Sequence, residues 1–285
     1  MVMIKEIVKK IILNRFLIDI VNFFLVKILR LKKILDSSYK KSGKFVLIKK
    51  SDLFIVSYPK SGNTWLRLIV ANLYFGNVNY NNIENLIPDI YHTNESKFIN
   101  KKVRIFKCHD HYDFRFERVI YVVRDPREVI VSAYYFAIKI GVISHKYSRR
   151  KFVKEFLNGK FNSNFGSWYQ HVGSWYGVSD RNILFIRYED LRKRPSLQIS
   201  KIANFLKIKV RKNKISEIIK KTSFKILQDQ EDKHKVSWAG LPNNDSKVKF
   251  FRDGQINSWK KFLTKEEVKK IKKMWGRNMK IFNYK

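Results

Sequence analysis

Cysteine is almost missing from this chain, since Cys108 is the only one among 285 residues. A single cysteine excludes an intramolecular disulfide, and it also excludes a metal site built from several thiolates. Disulfide-dependent folds are typical of oxidising compartments. The composition therefore favours a reducing, cytoplasmic compartment.

Apolar runs long enough to cross a bilayer are also missing. Residues 1–35 carry an approximately helical apolar stripe, but polar and charged residues such as Asn14, Asp19 and Lys27 interrupt each possible spanning window. Because a transmembrane helix needs about 20 mostly apolar residues, we exclude one here. A secretory signal is not predicted either. Two interpretations stay open: a basic amphipathic helix lying peripherally on an anionic membrane, or a helix packed on the core or on a partner.

Acidic residues are scarce, with 24 Asp and Glu against 60 Lys and Arg, and the formal net charge is +36. Such a charge permits an anionic lipid, a nucleic acid or an acidic substrate as partner. The lysines are scattered without regular aromatic interleaving, which argues against a specific nucleic-acid partner.

The polar residues 40–50 are predicted to form a linker. We therefore divide the chain into an N-terminal helical extension with its linker, residues 1–50, and one domain, residues 51–285. The hydrophobic content of 45% is enough for that domain to bury a full core.

The domain is organised around the stretch from Asp52 to Tyr74. Its pattern predicts a short buried strand, a tight loop and a helix. At such a junction the loop amides and the helix N-terminus form an anion site, which suits a phosphate. The residues that would surround it are Lys60, Ser61, Gly62 and Thr64. The spacing differs from the nucleoside-triphosphatase loop, because here the lysine precedes the glycine.

A histidine follows the second predicted strand. Residues 103–107 have strand character, and His109 comes just after them. Ligands of α/β proteins usually bind at the carboxyl edge of the sheet, so His109 is a candidate site residue. His111 is more typical of a surface or core histidine.

The third informative stretch is a strand over residues 119–123 that leads into a helix. Asp125 suits the N-cap of that helix and Pro126 its first position. Arg124 at the strand end and Ser132 two turns into the helix suit a second phosphate, because a guanidinium binds phosphate oxygens in a bidentate way. The alternative for Arg124 is a salt bridge to Asp125 or Glu128.

Four strands are predicted in all, near residues 53–57, 103–107, 119–123 and 183–187. They predict an α/β fold: a three-layer sandwich with a mainly parallel central sheet and a P-loop-like phosphate-binding core. Phosphate contacts should cluster at the carboxyl ends of the strands. Near the end of the chain, Thr264 and Glu267 form a capping-box pattern that opens a last helix.

Four segments, taken in order over roughly residues 52–275, resemble the sulfotransferases that use 3′-phosphoadenosine 5′-phosphosulfate (PAPS). Residues 58–65, Tyr-Pro-Lys-Ser-Gly-Asn-Thr-Trp, are similar to the family's 5′-phosphosulfate loop. Residues 121–132 resemble its 3′-phosphate segment, and residues 107–109 its Lys-Thr-His stretch. Phe251-Arg-Asp-Gly254 with Trp259-Lys260 resembles the late loop that closes over the 3′-phosphate.

The resemblance implies which residues form the site. The catalytic residues would be Lys60, His109 and Ser132, and no metal is expected. PAPS would be held by Lys60, Ser61, Gly62, Asn63, Thr64, Trp65, Arg124, Ser132, Tyr188, Thr222, Phe224, Phe251, Arg252, Asp253 and Gly254. Among these, Trp65, Tyr188, Thr222 and Phe224 match the positions that hold the adenine.

The chain departs from the family pattern at several positions. Asp253 stands where lysine is usual and Asn257 replaces the second glycine, so a cation near the 3′-phosphate is missing. Cys108 and Asp110 flank the candidate base in place of threonine and leucine. Lys265 breaks the family's dimer signature, and the oligomeric state therefore stays open.

The implied reaction is in-line transfer of a sulfuryl group to a hydroxyl or amine acceptor. His109 would take the acceptor proton, Lys60 would stabilise charge on the oxygen of the departing phosphate, and Ser132 would hold Lys60 back until the acceptor binds. The acceptor is expected to be a hydroxyl-bearing glycan, lipid or small molecule. Its pocket should be walled by residues 76–100, 133–175 and 228–249.

Two other functions are compatible with the sequence. One is a P-loop kinase or nucleotidase that uses ATP, although no carboxylate stands where a magnesium ligand would follow a recognisable strand. The other is a non-catalytic basic protein that binds nucleic acid or membranes.

Overall fold

The computed structural model describes residues 38–41, 44–98, 103–161, 164–178, 182–234, 245, 247–252 and 254–285. The predicted amphipathic helix of residues 1–35 lies outside this range, and so does Asp253.

The described chain alternates strands and helices. The strands are β1 (Ser38–Lys41), β2 (Lys44–Leu47), β3 (Leu53–Ser57), β4 (Ile105–Cys108), β5 (Arg118–Val123) and β6 (Asn182–Arg187). The helices are α1 (Asn63–Phe75), α2 (Ile83–Leu86), α3 (Pro126–Lys139), α4 (Arg149–Leu157), α5 (Trp168–Tyr176), α6 (Tyr188–Lys193), α7 (Pro195–Phe205), α8 (Lys212–Lys221), α9 (Phe224–His234), α10 (Trp259–Phe262) and α11 (Lys265–Ile281). Two 3₁₀ turns, Ile90–His92 and Glu95–Phe98, stand between α2 and β4.

The central sheet has the order β4-β3-β5-β6, and each neighbouring pair is parallel. Leu53 at the start of β3 pairs with Ile105 on one side and with Arg118 on the other. All four strands therefore end at the same edge. The predicted strands are confirmed, with the second shifted to Ile105–Cys108.

Helices cover both faces of this sheet. Successive side chains of β3 point to opposite faces, and the apolar side chains of both sets are buried. Phe54 and Val56 point to one apolar cluster, which includes residues of α3, α5 and α11. Leu53 and Ile55 point to a second cluster, which includes residues of α1, α7 and α8. The structure thus confirms the predicted three-layer α/β sandwich.

The segment predicted as a linker is paired instead. β1 and β2 form an antiparallel hairpin, and Val46 is fully buried against the domain. The amide of Leu47 donates to the Glu95 carboxylate at 3.0 Å, and its carbonyl accepts from the Arg104 guanidinium. Lysines flank the short apolar run in β2, and this is why the sequence pattern resembles a polar linker.

The predicted helix starts are confirmed. The Asp125 carboxylate accepts from the Arg127 amide at 2.9 Å at the head of α3. Thr264 and Glu267 form both hydrogen bonds of a capping box at the head of α11. No helix in the described residues combines the length and apolar character that a membrane crossing requires.

Candidate active site

The loop between β3 and α1 has the geometry of an anion site. α1 begins after Gly62, whose φ is +99°, and no side chain caps the helix. The first helical bond runs from the Leu66 amide to the Gly62 carbonyl at 3.1 Å. The preceding amides, Asn63 to Trp65, therefore have no helical acceptor. Ser61 is fully buried, and its Oγ has no hydrogen-bond partner among the described residues.

Only glycine fits at position 62. A Cβ there would lie 2.6 Å from the ring of Tyr188, the first residue of α6. The Trp65 ring packs edge-on against Tyr188 and Phe224, with centroids 5.6 and 6.3 Å apart. Thr222 lines a neighbouring cavity of about 110 Å³ with Trp65 and Phe224. The four residues expected at the adenine are thus grouped beside the loop.

The ammonium group of Lys60 is held by ring faces. Its Nζ lies 3.7 Å from the ring centroid of Phe136 and 4.2 Å from that of Phe250. Burial lowers the pKa of Lys60 well below its usual value, and the nearby charges of Arg124 and Lys107 lower it further. Such cation–π contacts have little directional preference compared with hydrogen bonds, so the lysine can turn towards an incoming anion.

Hydrogen bonds fix the tautomer of His109. Its Nδ1 lies 2.7 Å from the carbonyl oxygen of Ser57, which can only accept, so Nδ1 carries the proton. Nε2 is then the unprotonated nitrogen. Burial lowers the pKa of His109 to about 3, and the charge of Lys107 acts in the same direction. The imidazole is therefore neutral at pH 7 and can accept a proton.

Two residues that sequence reasoning missed support His109. The Tyr91 hydroxyl accepts from the His109 amide at 2.8 Å and donates to the Asp110 carboxylate at 3.0 Å. The Nε2 of His171 lies 2.9 Å from the carbonyl oxygen of His109, and its Nδ1 lies 2.8 Å from the hydroxyl oxygen of Tyr121. A signal existed for His171, since it falls on the apolar face of α5 with fully buried tryptophans.

Asp89 is a third residue that the sequence did not single out. Its carboxylate pairs with the ammonium of Lys107 and accepts from the Tyr91 amide at 3.1 Å. Burial opposes ionisation of Asp89, but Lys107 and the Tyr91 amide together outweigh burial, and the pKa of the carboxyl is lowered. An ion pair thus stands beside His109.

Arg124 combines the two interpretations that the sequence left open. Its guanidinium lies 4.3 Å from the Tyr188 ring centroid and donates to the Lys60 carbonyl at 3.2 Å. Its Nη2 is also 3.5 Å from the Glu128 carboxylate. Its Nε is buried and has no partner among the described residues. Arg124 therefore stands at the loop with donor capacity to spare.

Ser132 and Arg252 lie close to Lys60. All three line one narrow pocket, and the Arg252 guanidinium lies 4.5 Å from the Tyr135 ring centroid. In the part of the chain that is described, no hydrogen bond joins Ser132 to Lys60. The two phenylalanine rings hold the ammonium in this structure, and the restraint of the lysine by the serine stays a prediction.

One cleft of about 350 Å³ brings most of the predicted residues together. Its lining includes Lys60, Gly62, Asn63, Thr64, Trp65, His109, Arg124, Ser132, Tyr188, Phe224 and Phe251. Gly254 is buried against the Phe224 ring. The Asn63 side chain turns inward instead, donating to the Ile55 carbonyl at 3.1 Å. This contact fastens the loop to β3.

The cleft has two chemically different ends. One has a cationic loop whose first helical amides are available to anionic groups. The other has a neutral histidine whose Nε2 can accept a proton. Among the described residues, no group of three or more His, Cys, Asp or Glu side chains is arranged to hold a metal ion.

Comparison with known proteins points to one family. Residues 50–283 match the model of the sulfotransferase domain. A 3-beta-hydroxysteroid sulfotransferase of Cavia porcellus is 30% identical over 249 residues, covering 82% of this chain and 85% of that protein. An amine sulfotransferase of Oryctolagus cuniculus is 26% identical over 251 residues, covering 82% and 83%.

A solved structure shares the fold. A mouse sulfotransferase in complex with PAP superposes with a TM-score of 0.65 at 23% identity, over 86% of this chain and 96% of that one. The domain match over most of the chain, together with the relative at 30% identity, confirms the predicted family. The chain belongs to the sulfotransferases.

Proposed function

We propose that this protein transfers the sulfuryl group of PAPS to a hydroxyl or amine acceptor by in-line displacement. The observation that carries the proposal is the pairing of two groups in one cleft: a lysine in an anion-binding loop and a neutral histidine with a free Nε2. They follow β3 and β4, which are adjacent parallel strands. The donor and the acceptor can therefore meet between them.

Lys60 acts on the leaving group. As the bond between sulfur and the bridging oxygen breaks, negative charge develops on that oxygen, and an ammonium beside it stabilises the transition state. The anionic donor also favours the charged form of Lys60, which offsets the pKa lowering that burial causes. The amides at the head of α1 bind the neighbouring phosphate oxygens.

His109 acts on the acceptor. An alcohol is a poor nucleophile at neutral pH, so Nε2 takes the hydroxyl proton as the new oxygen–sulfur bond forms. The hydrogen bond from Nδ1 to the Ser57 carbonyl steadies the imidazolium that results, since that nitrogen keeps its proton throughout. Tyr91 and His171 hold the backbone of His109 in place.

The donor is held at three places. Its 5′-phosphosulfate lies at the loop, its adenine lies beside Trp65, Tyr188 and Phe224, and its 3′-phosphate lies near Arg124, Ser132 and Arg252. The unpartnered Nε of Arg124 and Oγ of Ser61 support this arrangement, because buried polar atoms rarely stay without a partner.

The acceptor pocket adjoins His109. Two of the stretches expected to wall it contribute side chains to the cleft: Asp89 and Tyr91 from residues 76–100, and Phe136 and Phe165 from residues 133–175. The named relatives act on a hydroxysteroid and on amines. We infer a small acceptor that has an apolar body and presents its hydroxyl or amine to His109.

Ligand binding tests the choice of donor. Calorimetry should show much tighter binding of adenosine 3′,5′-bisphosphate than of adenosine 5′-phosphate. Only the bisphosphate carries the 3′-phosphate that Arg124, Ser132 and Arg252 are proposed to bind. ATP provides the comparison for a kinase. Tighter binding of ATP than of the bisphosphate would contradict the proposal. Transfer of labelled sulfur from PAPS to a panel of steroids, phenols and amines would then identify the acceptor.

A further inference from the structure

Two buried glutamates tie down the 250–259 segment, which runs past the proposed 3′-phosphate site. Near its start, the Glu231 carboxylate accepts from the amides of Phe250 and Phe251 at 2.7 and 3.0 Å. The ammonium of Lys139 balances its charge at 3.1 Å. The first end of the segment is therefore fixed to α9 and α3.

Glu128 fixes the other end. Its side chain is 1% exposed, and it accepts from the Ser258 hydroxyl at 2.7 Å and from the Trp259 amide at 3.1 Å. The cation nearest to it is Arg124, at the longer distance of 3.5 Å. The carboxylate therefore makes its two shorter contacts with the 250–259 segment.

Glu128 lies in the first turn of α3, close to the residues proposed to bind the 3′-phosphate. Glu128 and Ser132 are four positions apart and so lie along one face of α3, and Arg124, which precedes the helix, lies 3.5 Å from Glu128. A carboxylate between Arg124 and Ser132 repels a phosphate bound by those two residues. The helix N-terminus and the Arg124 guanidinium favour a carboxylate at this position, and its hydrogen bonds to Ser258 and Trp259 connect α3 to the 250–259 segment.

Arg252 lies between the two fixed ends. Its guanidinium lies over the Tyr135 ring and lines the narrow pocket shared with Lys60 and Ser132. A segment anchored at both ends loses less conformational freedom when its middle binds a ligand, so less binding free energy is spent on ordering it.

We propose that Glu128 is a positioning residue for the 3′-phosphate: it fastens the 250–259 segment to α3 and so holds Arg252 beside Ser132. This inference rests on the proposed function, since it assumes a donor with a 3′-phosphate. Glu128 touches neither the donor nor the reacting atoms, and it acts through the segment that it holds.

The test compares two substitutions at this position. In Glu128→Ala both donors of the segment lose their acceptor, and the dissociation constant of adenosine 3′,5′-bisphosphate should rise about tenfold or more, since a buried donor without a partner is costly. The constant for adenosine 5′-phosphate should change less than threefold. In Glu128→Gln the amide oxygen still accepts from Trp259 and the repelling charge is gone, so bisphosphate binding should return to within threefold of wild type.

Control variants set the scale and detect general damage. Arg124→Ala removes a direct contact and should show a larger loss for the bisphosphate than Glu128→Ala. Asp52→Ala removes a buried acid that pairs with Arg104 at the opposite edge of the sheet, and it should leave the ratio of the two dissociation constants unchanged. Ser258→Ala removes one of the two hydrogen bonds and should give a smaller loss of the same kind.

Amide exchange gives a readout that does not depend on the donor. The Trp259 amide should exchange faster in Glu128→Ala than in wild type, and at nearly the wild-type rate in Glu128→Gln. Equal losses for both nucleotides in Glu128→Ala, or tighter binding of the bisphosphate, would overturn the role of Glu128. A wild-type protein that does not prefer the bisphosphate would instead overturn the proposed function.

Discussion

Lys60 and His109 are the two candidate catalytic residues, and the protein holds them in opposite ways. The imidazole of His109 is fixed by a hydrogen bond to Ser57, and its backbone is fixed on both sides by Tyr91 and His171. Within the described part of the chain, the closest contacts of the Lys60 ammonium are the faces of two phenylalanine rings. The His109 imidazole is thus oriented before the substrates bind, whereas the Lys60 ammonium can move away from the two rings.

The difference matches what each group has to do. A general base must present one nitrogen in one direction, and the directional hydrogen bond that Nδ1 donates to the Ser57 carbonyl provides that. A cation that follows charge developing on a leaving oxygen must adjust its position, and contacts with ring faces permit this. In both cases burial lowers the pKa, but only for the histidine does the neutral form serve the reaction.

The largest effect is expected at the oriented group. His109→Asn cannot accept the proton, so turnover should fall by about 10²–10⁴-fold, while binding of adenosine 3′,5′-bisphosphate stays near wild type. Steady-state kinetics with labelled sulfur and calorimetry check this. A variant with near wild-type turnover would show that His109 is not the base.

The pH dependence sharpens the same point. Because the pKa of His109 is about 3, the residue is neutral and competent throughout pH 5–8. The profile of kcat/KM, which reports the free enzyme, should therefore have no acid limb near pH 6.5. An acid limb there in the wild type that disappears in His109→Asn would contradict the buried, neutral state described here.

Removal of the Lys60 ammonium should have the next largest effect on turnover. Lys60→Ala deletes the charge opposite the leaving oxygen, and turnover should fall by about 10²–10³-fold. The melting temperature should stay close to wild type, because Lys60 is a loop residue outside the apolar core. Lys160→Ala, which removes an exposed lysine paired with Glu155, is the control and should keep full activity. A Lys60→Ala variant as active as this control would remove the lysine from the mechanism.

A matched pair of glycine substitutions separates the loop from general strain. Gly62 and Gly76 both have positive φ, at 99° and 85°, but a Cβ meets Tyr188 only at position 62. Both alanine variants should lose about 1–2 kcal/mol of stability through backbone strain. Only Gly62→Ala should also weaken nucleotide binding, by roughly tenfold, which corresponds to about 1.4 kcal/mol. Equal binding losses in both variants would show that the contact with Tyr188 is unimportant.

The smallest effect is expected when one of the two phenylalanine rings in contact with the Lys60 ammonium is replaced. A cation–π contact is worth about 0.5–1 kcal/mol at a partly exposed site, so Phe250→Leu should change kcat/KM for the donor about two- to fivefold. Phe136→Leu removes the second ring and should have a similar effect. A loss at Phe250 far above that at Phe136 would mean that Phe250 acts through the 250–259 segment.

The loop was predictable because it is contiguous. Residues 58–65 hold the lysine, the glycine and the helix start within one stretch of chain, and the structure places these where the pattern indicated. The same holds for the strands, whose apolar runs are bounded by turns, and for the Asp125 cap.

The supports of the site were not predictable in this way. The sequence indicates Glu128 only as a possible partner of Arg124, because Ser258 and Trp259 lie 130 and 131 positions further along the chain. Asp89 and Tyr91 act on residues 18 positions away, across an edge of the sheet. Such contacts depend on how distant segments pack, which local patterns do not specify.

The burial of Cys108 gives this protein a built-in reporter. The thiol is fully buried at the end of β4, next to the Tyr91 hydroxyl, and burial raises its pKa well above the usual value. Because thiol reagents attack the exposed thiolate, the folded chain should behave towards them as if it had no cysteine. Any slow labelling of Cys108 would then measure the rate at which the sheet opens. A cysteine introduced in place of the exposed Leu197 could be labelled selectively without removal of Cys108.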